Sequence, residues 1–337
     1  MYDVMAIGNA LVDHEYLLSE THLSQTGLEK GNMSLASLEE QQTLLDYLSS
    51  AEIEPSKLAG GGSAANAMFT FASLGGKAFY ACRVGDDEQG HFYLQDLHKS
   101  GVATSKQSIH TGGVTGSCVV AITPDAERTM QTYLGTSSDI CEENINLEAL
   151  SQTSWLYLEG YLAMSENLQP AVTKLRQQAG IHNVNIALSF ADPAVVKFAK
   201  EGLLNMIGNG VAVIFCNSEE AKLFTGKKQL KAAARALTEF CQTAVVTDGA
   251  NGAVIANQHE GSIEIHEVTT PKVIDVIDTN GAGDNYSGAF LYALAQHYTL
   301  PECGRLASEV ASQVIQQMGP RLEARQYQDI SRRVLAG

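Results

Sequence analysis

Short apolar runs alternate with longer amphipathic stretches along most of the chain. The apolar runs are rich in Val, Ile and Phe with little polar alternation, which is typical of strands covered on both faces. They predict strands at 4–10, 77–84, 155–160, 184–190, 211–216 and 243–249. Helical spacing predicts helices at 37–50, 63–74, 87–100, 166–179, 193–206 and 228–241, and at about 281–297, 302–317 and 323–335. This order predicts an α/β fold with a doubly wound, mostly parallel central sheet flanked by helices.

Residues 11–36 and 111–136 break this alternation, because both resemble strands joined by turns and lack long helical stretches. Their patterns predict antiparallel strands. The two segments are either separate surface hairpins or parts of one small β-sheet at an edge of the main domain. We favour the single small sheet, which would form a lid that excludes water from a neighbouring site.

Composition narrows the class of protein. The chain has 337 residues, of which 45% are hydrophobic and 18% are charged, as in a globular protein with a substantial core. Its formal net charge of −16 argues against general binding to nucleic acid or to anionic membranes. The six cysteines form no CxxC pair, and no apolar run approaches the ~20 residues that span a bilayer. With no signal peptide at MYDVMAIGNALVD, we expect a soluble, cytoplasmic protein with reduced cysteines.

The segment DTNGAGDNYSG at 278–288 runs directly into the apolar stretch AFLYALAQHY. The first turn of a helix has N–H groups without intrahelical partners and carries partial positive charge. Gly281 and Gly283 leave that backbone open to an anion, and Asp284 lies in the same turn, where it can accept a proton from a hydroxyl group. An anion site beside a base favours phosphoryl transfer to an alcohol over a purely structural glycine turn.

Two further segments place polar residues at the ends of predicted strands, where ligands collect in doubly wound folds. CNSEEA contains Asn217 and Glu220, and a carboxylate that acts with several waters suits Mg²⁺. Taken alone, it could equally be an ordinary acidic helix start. TDGANG contains Thr247 and Gly249 and could be a simple tight turn, but its place in the strand order favours phosphate contact.

The amino-terminal part of the chain has candidate groups for an alcohol substrate. GGGSAANAM at 60–68 offers bare backbone at Gly61 and Gly62 and a donor and acceptor at Asn66. GNALVD at 8–13 brings Asn9 and Asp13 to the end of the first strand. Neither segment is a dinucleotide fingerprint, and GKK at 226–228 lacks the upstream glycine of a P-loop.

Taken together, these motifs resemble the ribokinase-like carbohydrate kinases of the PfkB family, whose carboxyl-terminal signature has the form DTxGAGDxFxxG. Tyr286 replaces the usual phenylalanine of this signature, and Asp248 differs from the small or apolar residue often found in the T-x-G-x-x-G turn. The resemblance extends from the first strand to the last helices. It implies a single ribokinase-like kinase domain over residues 1–337, which uses ATP and Mg²⁺.

The resemblance also implies a role for each matched position. Asp284 would be the catalytic base, and the anion hole for the transferred phosphoryl group would be formed by the backbone of Asn280, Gly281, Ala282 and Gly283. Contacts to ATP or its phosphates are expected from Asn217, Glu220 (through water-bound Mg²⁺), Thr247, Gly249, Asp278, Thr279 and Asn280. Contacts to the acceptor are expected from Asn9, Asp13, which would grip a sugar diol, Gly61, Gly62 and Asn66.

Within the family, GNALVD, GGSAAN, ERTMQTYLG and LYLEGYL are most similar to the bacterial adenosine kinase branch. This similarity implies a nucleoside acceptor, with either Tyr161 or Leu162 near the base. Arg128 could clamp a phosphate or could lie exposed in a hairpin. Sugar kinases and a non-catalytic binding protein on the same fold are the alternatives. The resemblance also leaves open a monovalent cation such as K⁺ near Asp278 and residues 315–320, and a monomer or a homodimer.

Overall fold

Strands and helices alternate through most of the computed structural model, which describes residues 1–125 and 127–335 and, at Glu166, the backbone only. The strands, numbered along the chain, are β1 (Val4–Ile7), β2 (Leu11–Leu17), β3 (Met33–Leu35), β4 (Lys57–Gly60), β5 (Ala78–Ala81), β6 (Val84–Gly85), β7 (Ala103–Thr104), β8 (Ile109–His110), β9 (Gly116–Ile122), β10 (Arg128–Tyr133), β11 (Trp155–Glu159), β12 (Asn185–Ser189), β13 (Val211–Asn217), β14 (Cys241–Thr247), β15 (Ala253–His259) and β16 (Ser262–Val268). The α-helices are α1 (Glu20–Thr26), α2 (Leu38–Ser50), α3 (Ser63–Ser73), α4 (Glu88–Lys99), α5 (Leu147–Ser151), α6 (Gln169–Ile181), α7 (Pro193–Phe198), α8 (Lys200–Ile207), α9 (Ser218–Thr225), α10 (Leu230–Leu237), α11 (Ala282–Ala295), α12 (Leu300–Val314) and α13 (Ala324–Leu335).

The larger sheet has the strand order β16-β15-β14-β13-β12-β11-β1-β5-β7. All pairs from β14 to β7 are parallel, whereas β15 pairs antiparallel with both β14 and β16. Starting from β1, the chain first extends the sheet through β5 and later returns to build the other side from β11. In such folds, ligands bind beyond the carboxyl ends of the strands near this reversal of direction.

Apolar clusters on both faces of the larger sheet form the core. One cluster joins the sheet to α3, α4, α11, α12 and α13 and includes Phe71, Phe290 and Tyr327. The other joins the opposite face to α5, α6, α8, α9 and α10 and includes Leu175 and Phe224. The predicted doubly wound α/β fold is therefore confirmed. No helix in residues 1–125 and 127–335 is long and apolar enough to cross a bilayer, and all six cysteines are free thiols.

A smaller sheet has the strand order β3-β10-β9-β2-β4, so residues 11–36 and 111–136 both contribute strands to it. Its pairing differs from the sequence prediction. The β2–β9 and β3–β10 pairs are parallel, and only β2–β4 and β9–β10 are antiparallel. Strand β4, at 57–60, was not predicted, because its short run KLAG has too few apolar residues to stand out.

Other boundaries also differ from the sequence prediction. The helix predicted at 193–206 is divided at Ala199 into α7 and α8. Helices α5 and α9 and the β15–β16 hairpin were not predicted as separate elements. In β16 three residues are exposed and three are partly buried, so the strand lacks the continuous apolar run that marks the central strands.

Candidate active site

A cavity of about 320 Å³ lies at the carboxyl ends of the parallel strands. Four strands of the larger sheet contribute their last residue to its lining: Glu159 from β11, Ser189 from β12, Asn217 from β13 and Thr247 from β14. The small sheet covers another side with Leu11, Asp13, Cys118, Arg128, Met130 and Thr132. The amino-terminal turns of α3 and α11 complete the wall with Ser63, Asn66 and Asp284. The cavity therefore joins both sheets and both glycine-rich segments.

Most residues singled out from the sequence line this cavity. They are Asn9, Asp13, Gly62, Asn66, Arg128, Tyr161, Asn217, Glu220, Thr247, Thr279, Asn280, Gly281, Ala282, Gly283 and Asp284. Their juxtaposition is a geometric finding, whereas the role of each residue stays a prediction.

Four residues singled out from the sequence do not line the cavity. Leu162 is fully buried in the apolar core, so of the two candidates for contact with a base only Tyr161 faces the cavity. Gly249 lies on an exposed turn, and Gly61 lies behind the carboxylate of Asp13, where a side chain would collide with that group. Asp278 is fully buried, and its carboxylate accepts hydrogen bonds from the N–H groups of Asn280 and Gly319 at 2.8 and 2.9 Å.

Helix α11 begins at a sharp turn. Gly281 is its N-cap residue with φ of +71°, a left-handed conformation that favours glycine. Of the four backbone amides in the predicted anion hole, two already donate hydrogen bonds within the turn. The Asn280 N–H donates to Asp278 Oδ1, and the Ala282 N–H donates to the Thr279 carbonyl at 3.3 Å. Within residues 1–125 and 127–335, the amides of Gly281 and Gly283 have no hydrogen-bond partner, which leaves them available to an anion.

Asp284 lies between the first turns of α11 and α3. Its Oδ1 accepts a hydrogen bond from Ser63 Oγ at 2.6 Å, and its Oδ2 accepts one from Asn66 Nδ2 at 3.0 Å. The two helices approach closely because Gly288 has no side chain, and a Cβ there would collide with the backbone of Ala67. Burial raises the pKa of Asp284, while these two hydrogen bonds oppose the rise. Asp284 is thus a carboxylate that two hydrogen bonds fix in place and whose pKa burial raises.

The small sheet contacts the turn at 278–281, which precedes α11, through Asn280. Arg128 Nη1 donates to Asn280 Oδ1 at 2.9 Å, and Asn280 Nδ2 donates to Asp13 Oδ2 at 3.4 Å. Arg128 is therefore not a free hairpin side chain. Burial raises the pKa of Asp13 to about 7, although the hydrogen bond from Asn280 and the charges of Arg321 and Arg128 oppose this. The side chain of Asn280 thereby joins β2 and β10 of the small sheet to the turn that precedes α11.

A buried network of hydrogen bonds centred on Asn285 supports the turn at Gly281. Asn285 Nδ2 donates to the carbonyls of Gly281 and Pro320, each at 2.7 Å. Its Oδ1 accepts from the hydroxyls of Thr70 on α3 and Tyr327 on α13. All four hydrogen-bonding positions of the Asn285 amide are thereby used, which fixes its orientation. Sequence reasoning missed Asn285, because an asparagine inside a signature motif gives no indication of its partners.

Glu159 was also missed in the sequence. Its Oε1 accepts from the backbone N–H and the side-chain amide of Asn9, at 3.2 and 2.8 Å, and its Oε2 accepts from the Ala64 N–H at 2.8 Å. Burial raises its pKa to about 7, and the three hydrogen bonds oppose the rise. A charged residue that ends the apolar run WLYLE at a strand terminus is a signal that could have identified it.

Asn217 and Glu220 are the residues of the cavity lining that suit a divalent cation. Asn217 and Glu220 form a capping box at the start of α9, and the Glu220 carboxylate accepts from the N–H and Nδ2 of Asn217 at 2.9 and 2.8 Å. Burial raises the pKa of Glu220 to about 7, a cost that a neighbouring cation would offset. No cluster of three or more His, Cys, Asp or Glu side chains in the described part of the chain could hold a metal ion alone. The residues therefore fit Mg²⁺ held through water and phosphate oxygens.

Glu15 is a buried carboxylate on β2, two residues beyond Asp13. It is fully buried, and among the residues that the structure describes neither of its carboxylate oxygens has a hydrogen-bond partner. Burial raises the pKa of Glu15 to about 7, the charges of Asp278 and Asp13 add to the rise, and Lys57 opposes it. The folded chain therefore keeps a proton on Glu15 over a pH range in which the unfolded chain has lost it.

We expect Glu15→Gln to stabilise the protein at pH 7.5 by about 1–2 kcal/mol, because it removes a buried charge without changing shape. The pKa of Glu15 in the folded chain, about 7, exceeds the ordinary glutamate value of 4.5, so the contribution of Glu15 to stability falls as pH rises through that interval. The gain should therefore be small at pH 5. Urea unfolding at both pH values measures this gain in the free energy of unfolding, with a substitution at an exposed residue, Glu54→Gln, as the control. An equal gain at both pH values would contradict the expectation.

Comparisons with known proteins identify the family of this chain. The family model for pfkB family carbohydrate kinases matches residues 33–326. The crystal structure of adenosine kinase from Sinorhizobium meliloti is similar with a TM-score of 0.90 and 30% identity, over 98% of this chain and 99% of that chain. A probable sugar kinase protein from Rhizobium etli gives a TM-score of 0.90 and 29% identity, over 98% of both chains. Adenosine kinase from Schizophyllum commune is 26% identical over 96% of this chain and 97% of its own. The chain therefore belongs to the pfkB family of carbohydrate kinases, and it is a phosphotransferase that uses an alcohol group as acceptor.

Proposed function

We propose that this kinase transfers the γ-phosphoryl group of ATP to the 5′-hydroxyl of adenosine, giving AMP. The observation that carries the proposal is the position of Asp284. Its carboxylate is held by Ser63 and Asn66 inside the cavity, one residue after the unpaired amide of Gly283. A base and an anion site in adjacent positions are what in-line transfer to a hydroxyl requires.

In the proposed mechanism, Asp284 accepts the proton of the attacking hydroxyl while the amides of Gly281 and Gly283 stabilise charge that develops on the phosphoryl oxygens. Asp13 and Asn66 hold the acceptor hydroxyls. Thr247 and Asn217 contact the phosphates of ATP from the ends of β14 and β13. Glu220 would hold Mg²⁺ through water, and the bound cation would neutralise phosphate charge.

The small sheet is proposed to act as a lid within a single kinase domain. It supplies Asp13 and Arg128 to the cavity, and both contact Asn280 of the catalytic turn. Closure of this sheet over the acceptor would exclude water, which otherwise competes as a phosphoryl acceptor. The lid consists of the segments 11–36 and 111–136, together with β4.

Apolar side chains on one side of the cavity support a nucleoside as acceptor. Beside the polar group of Asp13, Asn66 and Asp284, the lining is largely apolar and includes Leu11, Met33, Leu35, Met130, Leu134, Met164 and Leu168. A free pentose carries hydroxyls on most carbons and would leave this surface uncovered, whereas the flat face of a purine would cover it. Tyr161 adds an aromatic ring to the same lining.

A sugar acceptor is the second candidate, because the probable sugar kinase from Rhizobium etli is as similar in structure as the adenosine kinase from Sinorhizobium meliloti. Asp13 and Asn66 would serve a sugar as well as a ribose moiety. A monovalent cation such as K⁺ is also proposed, beside the Asp278 loop and residues 315–320, which are joined by the hydrogen bond from the Gly319 N–H to Asp278.

The acceptor is tested by measuring ADP release with adenosine, inosine, cytidine, ribose and fructose, in K⁺ and in Na⁺ buffers. We expect kcat/KM to be highest for adenosine, by about 100-fold or more over ribose, because burial of the base adds binding free energy. A higher kcat/KM for ribose or fructose would assign a sugar kinase. Binding without ADP release for every acceptor would support a non-catalytic protein instead.

A further inference from the structure

Arg321 lies in the turn that follows α12, outside the cavity lining, and only 8% of it is exposed. Its guanidinium makes an ion pair with Asp96 on α4 and lies over the ring of Phe69, 4.7 Å from the centroid. Its Nε donates to Asn66 Oδ1 at 2.8 Å. Three contacts from two helices, α3 and α4, therefore hold this arginine in one orientation, and one of them reaches a residue of the active site.

The contact determines which way the amide of Asn66 faces. The amide oxygen faces Arg321 Nε, so the amide nitrogen faces Asp284 Oδ2 at 3.0 Å. A guanidinium can only donate hydrogen bonds, and an ionised carboxylate can only accept them. If the Asn66 amide were reversed, its NH₂ group would face the Arg321 Nε–H, another donor, and its oxygen would face the Asp284 carboxylate, another acceptor. With both Arg321 and Asp284 charged, only one orientation of Asn66 satisfies both neighbours.

Arg321 also acts on Asp284 through charge. Together with Arg128, its positive charge opposes the rise in the pKa of Asp284 that burial causes. Other titratable groups face Asp284 from the surrounding elements: Asp13 on β2, Tyr157 and Glu159 on β11, Tyr161 after β11, and Glu220 on α9. Most of these groups are acids, so Arg321 and Arg128 are the charges that favour ionised Asp284.

We propose that Arg321 is a positioning residue for phosphoryl transfer, which fixes the Asn66 amide so that its NH₂ group holds the Asp284 carboxylate toward the acceptor hydroxyl. Asp96 holds the guanidinium in place from the opposite side. The inference rests on the proposed role of Asp284 as base, and it holds for a nucleoside or a sugar acceptor alike. It assigns a function to a residue outside every motif of the family signature.

The test compares Arg321→Met, Asn66→Ala and the double variant, using the best wild-type acceptor. Arg321→Met keeps the packing on Phe69 and should lower kcat about tenfold or more, with the KM for ATP within about twofold. The acid limb of its kcat–pH profile should move up by about half a pH unit or more, because Asp284 loses a positive neighbour. If Arg321 acts through Asn66, the double variant should be no slower than Asn66→Ala alone.

Arg321→Lys and Arg305→Met complete the design. Arg321→Lys keeps the charge but loses the planar guanidinium, which bonds Asp96 through Nη1 and Asn66 through Nε in one fixed geometry, so kcat should fall while the acid limb stays near its wild-type position. It carries the test if Arg321→Met does not fold. Arg305→Met removes a partly exposed arginine of α12 and should match the wild type. Additive losses in the double variant, or near-wild-type kcat in Arg321→Lys, would overturn this inference and leave the proposed function standing. A wild-type chain that phosphorylates no acceptor would overturn the proposed function with it.

Discussion

Replacing Asp284 with asparagine is expected to lower kcat by ~10³-fold or more, while ATP affinity and the thermal midpoint stay near their wild-type values. An amide cannot accept the proton of the attacking hydroxyl at neutral pH. The fold should tolerate the change because both hydrogen bonds have an equivalent. Asn66 can still donate to the new amide oxygen, and the Ser63 hydroxyl can rotate to accept from the new NH₂ group.

Turnover, ATP binding and thermal unfolding of Asp284→Asn should be measured beside Asp46→Asn, an exposed aspartate on α2. The control keeps the loss of one negative charge but lies away from the cavity, so it should behave as wild type. Turnover of Asp284→Asn within about tenfold of the wild type would remove Asp284 as the base. A large fall in thermal midpoint would instead mean that the carboxylate is mainly structural.

Replacing Gly281 with alanine is expected to lower both stability and turnover. With φ of +71°, an alanine at this position is strained, and its Cβ would lie 2.6 Å from the Pro320 carbonyl oxygen. We expect the free energy of unfolding to fall by about 2–4 kcal/mol and kcat to fall about 100-fold or more, because relief of this contact moves the anion-binding amides. Urea unfolding and steady-state kinetics measure the two effects.

Gly283→Ala is the matched comparison on the same turn. No atom lies within 4 Å of a Cβ built there, and Gly283 is a helical residue of α11 with no strained backbone. Its free energy of unfolding should stay within about 0.5 kcal/mol of the wild type. If Gly281→Ala proved as stable as Gly283→Ala, the turn would be less constrained than its contact with Pro320 indicates.

The main architecture was predictable because its physical causes are local. Continuous apolar runs such as VAVIFC and the helical spacing between them predict buried parallel strands, which the structure confirms at β13 and its neighbours. Strand β4 and the parallel β2–β9 pairing were not predictable. Both depend on which distant segments meet at the small sheet, and the alternation within a strand does not encode its partner.

In the candidate site, too, the residues with local causes were predictable and those that depend on distant segments were not. Asp284 and Gly281 were found from the sequence because their chemistry depends on a helix start within one short segment. Glu159, Asn285 and Arg321 were missed, since each forms hydrogen bonds with groups more than thirty residues away in the chain. Leu162 was considered for base contact and instead packs in the core, because one residue along a helical turn changes the side of the chain that a side chain faces.

The hydrogen bond between Tyr327 and Asn285 has a consequence for biosynthesis. Asn285 supports the carbonyls of Gly281 and Pro320, and its own orientation depends on a hydroxyl from α13. A ribosome-bound chain that has not yet extended past Tyr327 lacks this support, even though the catalytic motif has already been translated. Phosphoryl transfer should therefore begin only after α13 docks.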